Sequence, residues 1–309
     1  MYTFLIPVYI APEDTQKLNY FKQTITSLMN QTDHEWSLVI IDDCSCNEKF
    51  NEYLDEVKRT LSQPVTVHHN MHNLGPGESR NIGIRIANEM GTKVIMFQDA
   101  DDIAAPNRLE VTRHIFDTTQ ADLVYSPFKV VDENNDLVAL DKISHSIRDI
   151  LKAMEHKPPM GKDVWKIIGT DTGYVNLVTS TSVRIEVALE TPFPDRRASE
   201  DAYTWMVYSA KGAYFYYTDE IVNLYRIPQN VAGSISRTAV GQENFYKELA
   251  RTNEEAFLLC LDYAQSHNQI TMQERNHLLR GFYIRLAQTL YGEKMEALGE
   301  LYKNKKLSL

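Results

Sequence analysis

The sequence predicts an α/β fold: a mostly parallel sheet flanked by helices, with a helical extension at the carboxyl end. Three observations lead there. Through the first hundred residues, short apolar runs alternate with amphipathic stretches, the rhythm of strand-helix-strand units. The run Ser37–Ile41 is almost continuously apolar, as a strand covered on both faces must be. From Gln242 onward the periodicity is helical throughout.

Taken in order, Tyr2–Val8 reads as a strand followed by a polar loop, Ala11–Thr15. Leu18–Met29 is a helix, because Leu18, Phe21, Ile25 and Leu28 fall on one stripe. Ser37–Ile41 is the second strand, and Asn51–Leu61 a helix with Tyr53, Leu54 and Val57 inward. Val65–His69 is strand-like, and Asn73-Leu74-Gly75-Pro76-Gly77 opens a helix over Ser79–Met90. Lys93–Phe97 is the next strand, Asn107–Phe116 a helix and Asp122–Val131 a strand. Residues 139–175, with Pro158-Pro159 and several glycines, read as irregular. Val178–Val183, Tyr214–Tyr217 and Ile221–Tyr225 are short strands, with a helix over Ala202–Ala210. Two long helices close the chain, 242–266 and 271–303.

Composition narrows the function. A chain of 309 residues with 43% hydrophobic side chains buries a large core without disulfide or metal staples. Lys and Arg number 32 against 42 Asp and Glu, a net charge of −10, which argues against duplex nucleic acid as a partner. Three Cys build no disulfide framework and suit a reducing compartment. No apolar run approaches the ~20 residues that span a bilayer, so a cytoplasmic location is expected.

The chemistry concentrates in acidic clusters. Asp42-Asp43 and Asp99-Ala100-Asp101-Asp102 each follow a predicted strand, and in parallel sheets ligands bind beyond those carboxyl ends. The two clusters are therefore expected in one cleft. Two carboxylates about 4 Å apart repel by ~4 kcal/mol at an effective dielectric of 20, so a site keeping both ionised calls for a cation. Oxygen ligands select Mg²⁺ or Mn²⁺. An aspartyl-phosphate phosphohydrolase also ends a strand in Asp-x-Asp, but Ile103 stands where that motif needs Thr or Val. Gly75-x-Gly77 lacks the third glycine of a dinucleotide fingerprint, since Arg80 occupies its place. Arg80, placed in the first helical turn where cations are disfavoured, is expected to face an anion or a base.

In the second half, Ser199-Glu200-Asp201 suits a helix start, with Ser199 as side-chain cap and the acids in the first turn. Arg226, Ser234 and Ser236 offer groups able to hold diphosphate oxygens. Trp165, Asp171, Asn176 and Thr179 are the candidates for an acceptor site, with core packing the simpler role for Trp165.

The order of these pieces is the specific signal. Pro7-Val8-Tyr9, Asp42-Asp43-Cys44-Ser45, Gly75-x4-Arg80-Asn81-x-Gly83, Asp99-Ala100-Asp101-Asp102-x3-Pro106-Asn107-Arg108-Leu109 and Glu200-Asp201 together closely resemble glycosyltransferase family 2. The resemblance spans residues 2–237 and implies a GT-A type mixed sheet and inverting transfer of a sugar from a nucleoside-diphosphate sugar, a UDP-sugar first, to a hydroxyl on a carbohydrate, lipid-linked or small-molecule acceptor. It implies that Asp43 accepts from the nucleotide base, with Pro7, Val8, Tyr9 and Arg80 lining the same pocket. Asp99, with Ala100 beside it, would contact the ribose or a metal-bound water, and Asp101 the metal. Asp201 would be the catalytic base, supported by Glu200. Two departures stand out: Ile10 where the family often has Asn, and Cys44 where Gly is commoner.

These readings divide the chain into a catalytic domain, 1–237, with a nucleotide-binding half (1–105) and an acceptor-binding half (106–237), and a helical extension, 238–309. The extension ends in a mildly basic amphipathic stretch that could lie on an anionic membrane surface. Packing on the catalytic domain, or on a second copy in a homodimer, is preferred. A nucleotide-sugar-binding scaffold without turnover is the alternative function, and the full set of carboxylates argues against it. A nucleotidyltransferase is weaker still, because Pro7–Thr15 lacks a Gly-rich, Arg-containing loop. His68, His69 and His72, and the single pair Cys44-x-Cys46, lack zinc-site spacing.

Overall fold

The structure, a computed structural model, describes residues 1–156, 158–230 and 241–305. Two compact units interleave along the chain. The first comprises Met1–Val131, Val178–Asp195 and Thr218–Arg226; the second comprises Asp132–Leu177, Arg196–Tyr217 and Ile227–Leu309.

The first unit contributes six strands to its sheet: β1 (Tyr2–Val8), β2 (Trp36–Asp42), β3 (Val65–His69), β4 (Val94–Phe97), β5 (Leu123–Tyr125) and β7 (Thr181–Arg184), in the order β3-β2-β1-β4-β7-β5. β3, β2, β1 and β4 are mutually parallel, and β7 runs antiparallel to both β4 and β5. Every residue of β2 and β4 is buried, which is why those strands read as unbroken apolar runs. The sheet is covered by α1 (Thr15–Met29), α2 (Glu48–Thr60), α3 (Pro76–Glu89) and α4 (Arg108–Thr118). Asp14 and Asn47 cap α1 and α2, accepting from the Lys17 and Phe50 N–H groups, so both helices begin three residues before their first predicted position. α3 begins at Pro76, whose fixed φ and missing N–H suit a first helical residue.

The expected strand Asp122–Val131 splits at Ser126-Pro127, since proline supplies no donor to a ladder. Its second part, β6 (Phe128–Val131), leaves the main sheet and pairs in parallel with β9 (Asn223–Arg226).

The second unit holds β8 (Phe215–Tyr217), a short helix α6 (Val164–Ile167) continued by a π-turn, and the helices α5 (His145–His156), α8 (Glu200–Ala210), α9 (Gln242–Ser266), α10 (Met272–Gly292) and α11 (Glu296–Lys305). α7 (Ile185–Glu190) belongs to the first unit. Residues 139–175 are thus largely helical. Ile150 and Met154 form a buried helical stripe that the neighbouring prolines and glycines obscured. The expected helix 271–303 breaks between α10 and α11, where Lys294 takes φ 62°. Trp165 packs on Phe257, which stacks on Phe282 with centroids 4.7 Å apart.

Candidate active site

The chain runs β1, β2, β3 across the sheet in one direction and then returns to β4 on the far side of β1. The reversal lies between β1 and β4, and open α/β sheets bind ligands at the carboxyl ends of such a pair. Both acidic clusters meet this edge. Val8 is in register with Asp42, and Leu5 with Phe97, after which the Gln98 N–H donates to the Leu5 carbonyl at 3.0 Å.

Asp43 follows β2 directly, and its N–H donates to the Val8 carbonyl at 2.8 Å. Its carboxylate is buried and accepts from Asn70 Nδ2 (2.9 Å), the Leu74 N–H (2.8 Å) and the Gly75 N–H (2.8 Å), filling three of its roughly four acceptor positions. Asp43 therefore fastens the loop that starts α3. Cys44 adopts φ 68°, the left-handed region where glycine alone is free of strain, which accounts for glycine being commoner there. Ser45 Oγ accepts from the Ile10 N–H at 2.8 Å, so the buried Ile10 ties the two loops through its backbone. Tyr9 remains 43% exposed, while Val8 is buried and Pro7 partly so.

Arg80 is the fifth residue of α3 rather than part of its first turn, because the helix starts at Pro76. It does face an anion: Nη2 donates to Asp99 Oδ1 at 2.9 Å, and the guanidinium lies over the Phe193 ring. Gly83 is needed for close approach, since a Cβ there would sit 2.1 Å from Leu5 Cδ1.

The turn 98–102 is held from beneath. Gln98 Nε2 donates to the Asp99 and Asp102 carbonyls. The buried Arg108 donates to Gln98 Oε1, the Phe97 carbonyl and the Thr181 carbonyl, and burial pushes its guanidinium down to about 9. Asp102 is fully buried and accepts the Arg226 N–H at 2.7 Å. Arg226, expected as a diphosphate contact, is itself buried; Nε donates to the Asp101 carbonyl and Nη2 to Gln23 Oε1, over the Tyr20 ring. These N–H groups anchor the acidic turn.

Asp99 and Asp101 stay partly exposed, as does Ala100 between them. Among the described residues nothing beyond its own N–H donates to the Asp101 carboxylate, and burial together with the negative Asp99 pushes it up to about 6. Such a carboxylate fits a divalent cation. Among the described residues no three His, Cys, Asp or Glu side chains could form a complete cage.

In the second unit, α8 starts at Glu200 with Ser199 preceding it. Ser199 is not the expected side-chain cap. Its backbone is left-handed, φ 63° and ψ 23°, and its hydroxyl turns instead to the Tyr174 hydroxyl and Asn253 Nδ2. Glu200 is buried; Asp201 is partly exposed, and its Oδ1 accepts from the Ala202 N–H at 2.8 Å.

A model of the family described as glycosyl transferase family 2 matches residues 3–173, more than half of the chain. The chain belongs to glycosyltransferase family 2. A relative from Methanocaldococcus jannaschii, described as an uncharacterized glycosyltransferase, is 27% identical over 226 residues, 72% of this chain and 70% of its own length. Staphylococcus aureus TarS, solved with UDP-GlcNAc, superposes with a TM-score of 0.60 at 16% identity, covering 99% of this chain and 88% of that one. The mannosyltransferase PcManGT of Pyrobaculum calidifontis, solved with GDP-Man and Mn²⁺, gives 0.55 at 12% identity, covering 99% and 86%. The fold is that of the GT-A glycosyltransferases.

Within this family frame the expected acceptor residues disperse. Trp165 is 1% exposed inside the aromatic core, so its ring cannot stack on a sugar. Asn176 and Thr179 are fully buried and fall in different units, while Asp171 is exposed. Ser234 and Ser236 lie outside the described residues. Sequence reasoning missed Gln98, Tyr174 and Asn253, none of which stands in a motif. His69 binds Asp42 Oδ2 at 2.8 Å and is half-exposed, a surface role.

Proposed function

We propose that this family member is a metal-dependent inverting glycosyltransferase that moves a sugar from a nucleoside-diphosphate sugar, a UDP-sugar first, to a hydroxyl acceptor. The unmet Asp101 carboxylate beside Asp99, at the sheet's reversal point, carries the reading. Asp101 would hold Mg²⁺ or Mn²⁺ together with the donor's diphosphate. When bound there, the ion would supply Lewis-acid stabilisation of the charge on the departing β-phosphate oxygen. Tyr9, with its exposed ring, is assigned to stack on the nucleotide base, and Pro7, Val8 and Asp43 to shape the pocket around it. Asp99, bonded by Arg80, is assigned to the ribose.

Asp201 is assigned the base that takes the acceptor proton, and Glu200 supports it. A carboxylate within hydrogen-bond reach of the acceptor hydroxyl can take its proton as the hydroxyl attacks. One base and in-line displacement give inversion at the anomeric carbon. Residues 1–237 are assigned to catalysis and 238–309 to the helical extension. Among the described residues no helix is long and apolar enough to cross a membrane.

The test is a thermal-shift screen of UDP- and GDP-sugars with and without Mn²⁺, followed by NMR of the product from the best donor. A shift that needs both nucleotide and Mn²⁺, and a product of inverted configuration, are expected. Retention of configuration, or nucleotide binding indifferent to Mn²⁺ and to Asp101→Asn, overturns the reading.

A further inference from the structure

We infer that Tyr174, Ser199 and Asn253 form a clamp that positions Asp201, so that helix α9 of the carboxyl-terminal extension belongs to the catalytic apparatus. The inference rests on the assignment of Asp201 as base.

Ser199 stands two residues before Asp201. A serine at a helix start ordinarily takes extended backbone angles and caps the helix with its own oxygen. Here it gives up that cap and takes the left-handed conformation, φ 63° and ψ 23°, which penalises every side chain except glycine's. Such strain persists only where the surroundings over-determine it. They do so through two groups. Asn253, 1% exposed on α9, donates from Nδ2 to Ser199 Oγ at 2.8 Å and to the Leu249 carbonyl at 2.9 Å, so its own helix fixes the amide's orientation. The Tyr174 hydroxyl bonds the same Oγ.

Tyr174 is fixed in turn from α10. Arg285, 5% exposed, donates from Nε to the Gly169 carbonyl at 3.0 Å, and its guanidinium fills the space beside Gly173, where a Cβ would lie 3.1 Å from Nη1. Gly173 itself has φ 77°, so the turn that delivers Tyr174 requires glycine. Burial first, then the negative Asp201, hold the Tyr174 hydroxyl protonated, well above its usual range. Helix α9 thus bonds Ser199 directly, at the start of α8 where Glu200 and Asp201 lie, and α10 braces the turn that delivers Tyr174.

The test compares Ser199→Ala, Ser199→Gly, Asn253→Ala and Tyr174→Phe in the full chain. The donor is whichever UDP- or GDP-hexose of a panel wild type turns over fastest. Ser199→Ala and Asn253→Ala should lower kcat about tenfold or more with KM for the donor little changed, since a misplaced reacting group costs up to about 100-fold. Ser199→Gly should recover part of that loss, because glycine takes the left-handed conformation unaided. Amide hydrogen exchange needs no donor: residues 199–203 should exchange about tenfold faster in Asn253→Ala while the rest of α9 stays protected. Should Asn253→Ala not fold, Tyr174→Phe carries the same expectations. Wild-type kcat in the clamp variants, unchanged exchange at 199–203, or Ser199→Gly no better than Ser199→Ala would overturn the inference. Asp201→Asn is measured alongside. If it retains transfer, the base assignment fails; if it is inactive while the clamp variants turn over normally, the positioning alone fails.

Discussion

Replacing Asp101 by asparagine keeps the shape of the acidic turn and removes one negative charge. In the folded chain, burial and Asp99 raise the Asp101 carboxyl from 3.8 to about 6. A raised carboxyl pKa means that the folded state binds the proton more tightly than the unfolded state does. Stability is thus lost as pH rises through the window from about 4 to 6, and the ionised form is disfavoured above it. About two pKa units correspond to about 3 kcal/mol, an upper bound because the side chain is partly exposed and screened. Asp101→Asn should therefore stabilise the metal-free protein at pH 7.5, raising Tm by roughly 2–5 °C for a chain of this size. At pH 4 the two proteins should melt together. Differential scanning fluorimetry across pH, in EDTA, measures this directly. The same variant should lose the extra stabilisation that Mn²⁺ and a nucleoside diphosphate give wild type. A variant less stable than wild type at pH 7.5 in EDTA would refute the reasoning, for it would mean that the carboxylate is satisfied by the protein itself.

Three further outcomes are expected. Asp201→Asn should reduce transfer by about 100-fold or more while nucleotide binding by calorimetry stays within about twofold of wild type, as removal of a general base alone requires. Tyr9→Ala should weaken UDP or GDP binding by roughly fivefold to 100-fold, the range for one base stacked on an aromatic ring, and leave Tm unchanged because the ring is already half in water. Gly83→Ala should destabilise the fold by about 1–3 kcal/mol in denaturant titration, since its methyl would collide with Leu5 at the centre of the sheet.

β1, β2 and β4 were legible because burial on both faces leaves a signature in composition; they and the more exposed β3 stand within a residue of their expected bounds. The position of the acidic clusters was legible for a related reason, since Asp43 follows β2 directly and Asp99–Asp102 follow β4 after Gln98 alone. What escaped was set by partners distant in sequence. The side-chain reading of Ser199 failed because its hydroxyl answers to Tyr174 and Asn253, 25 and 54 residues away. Arg226 looked available for phosphate because nothing local shows that Asp101, Asp102 and Gln23 already engage it. α5 was hidden because the prolines and glycines that follow it dominate the composition of its segment. Side-chain roles settled by tertiary contact leave no trace in spacing.

The chain passes between its two compact units five times, the last time after Arg226. No single cut releases either unit as a continuous polypeptide, so chimeras that exchange donor specificity between relatives cannot be made by swapping a front half for another. On the ribosome, β9 emerges only after three-quarters of the chain has been made, and the first unit must wait that long for its last strand.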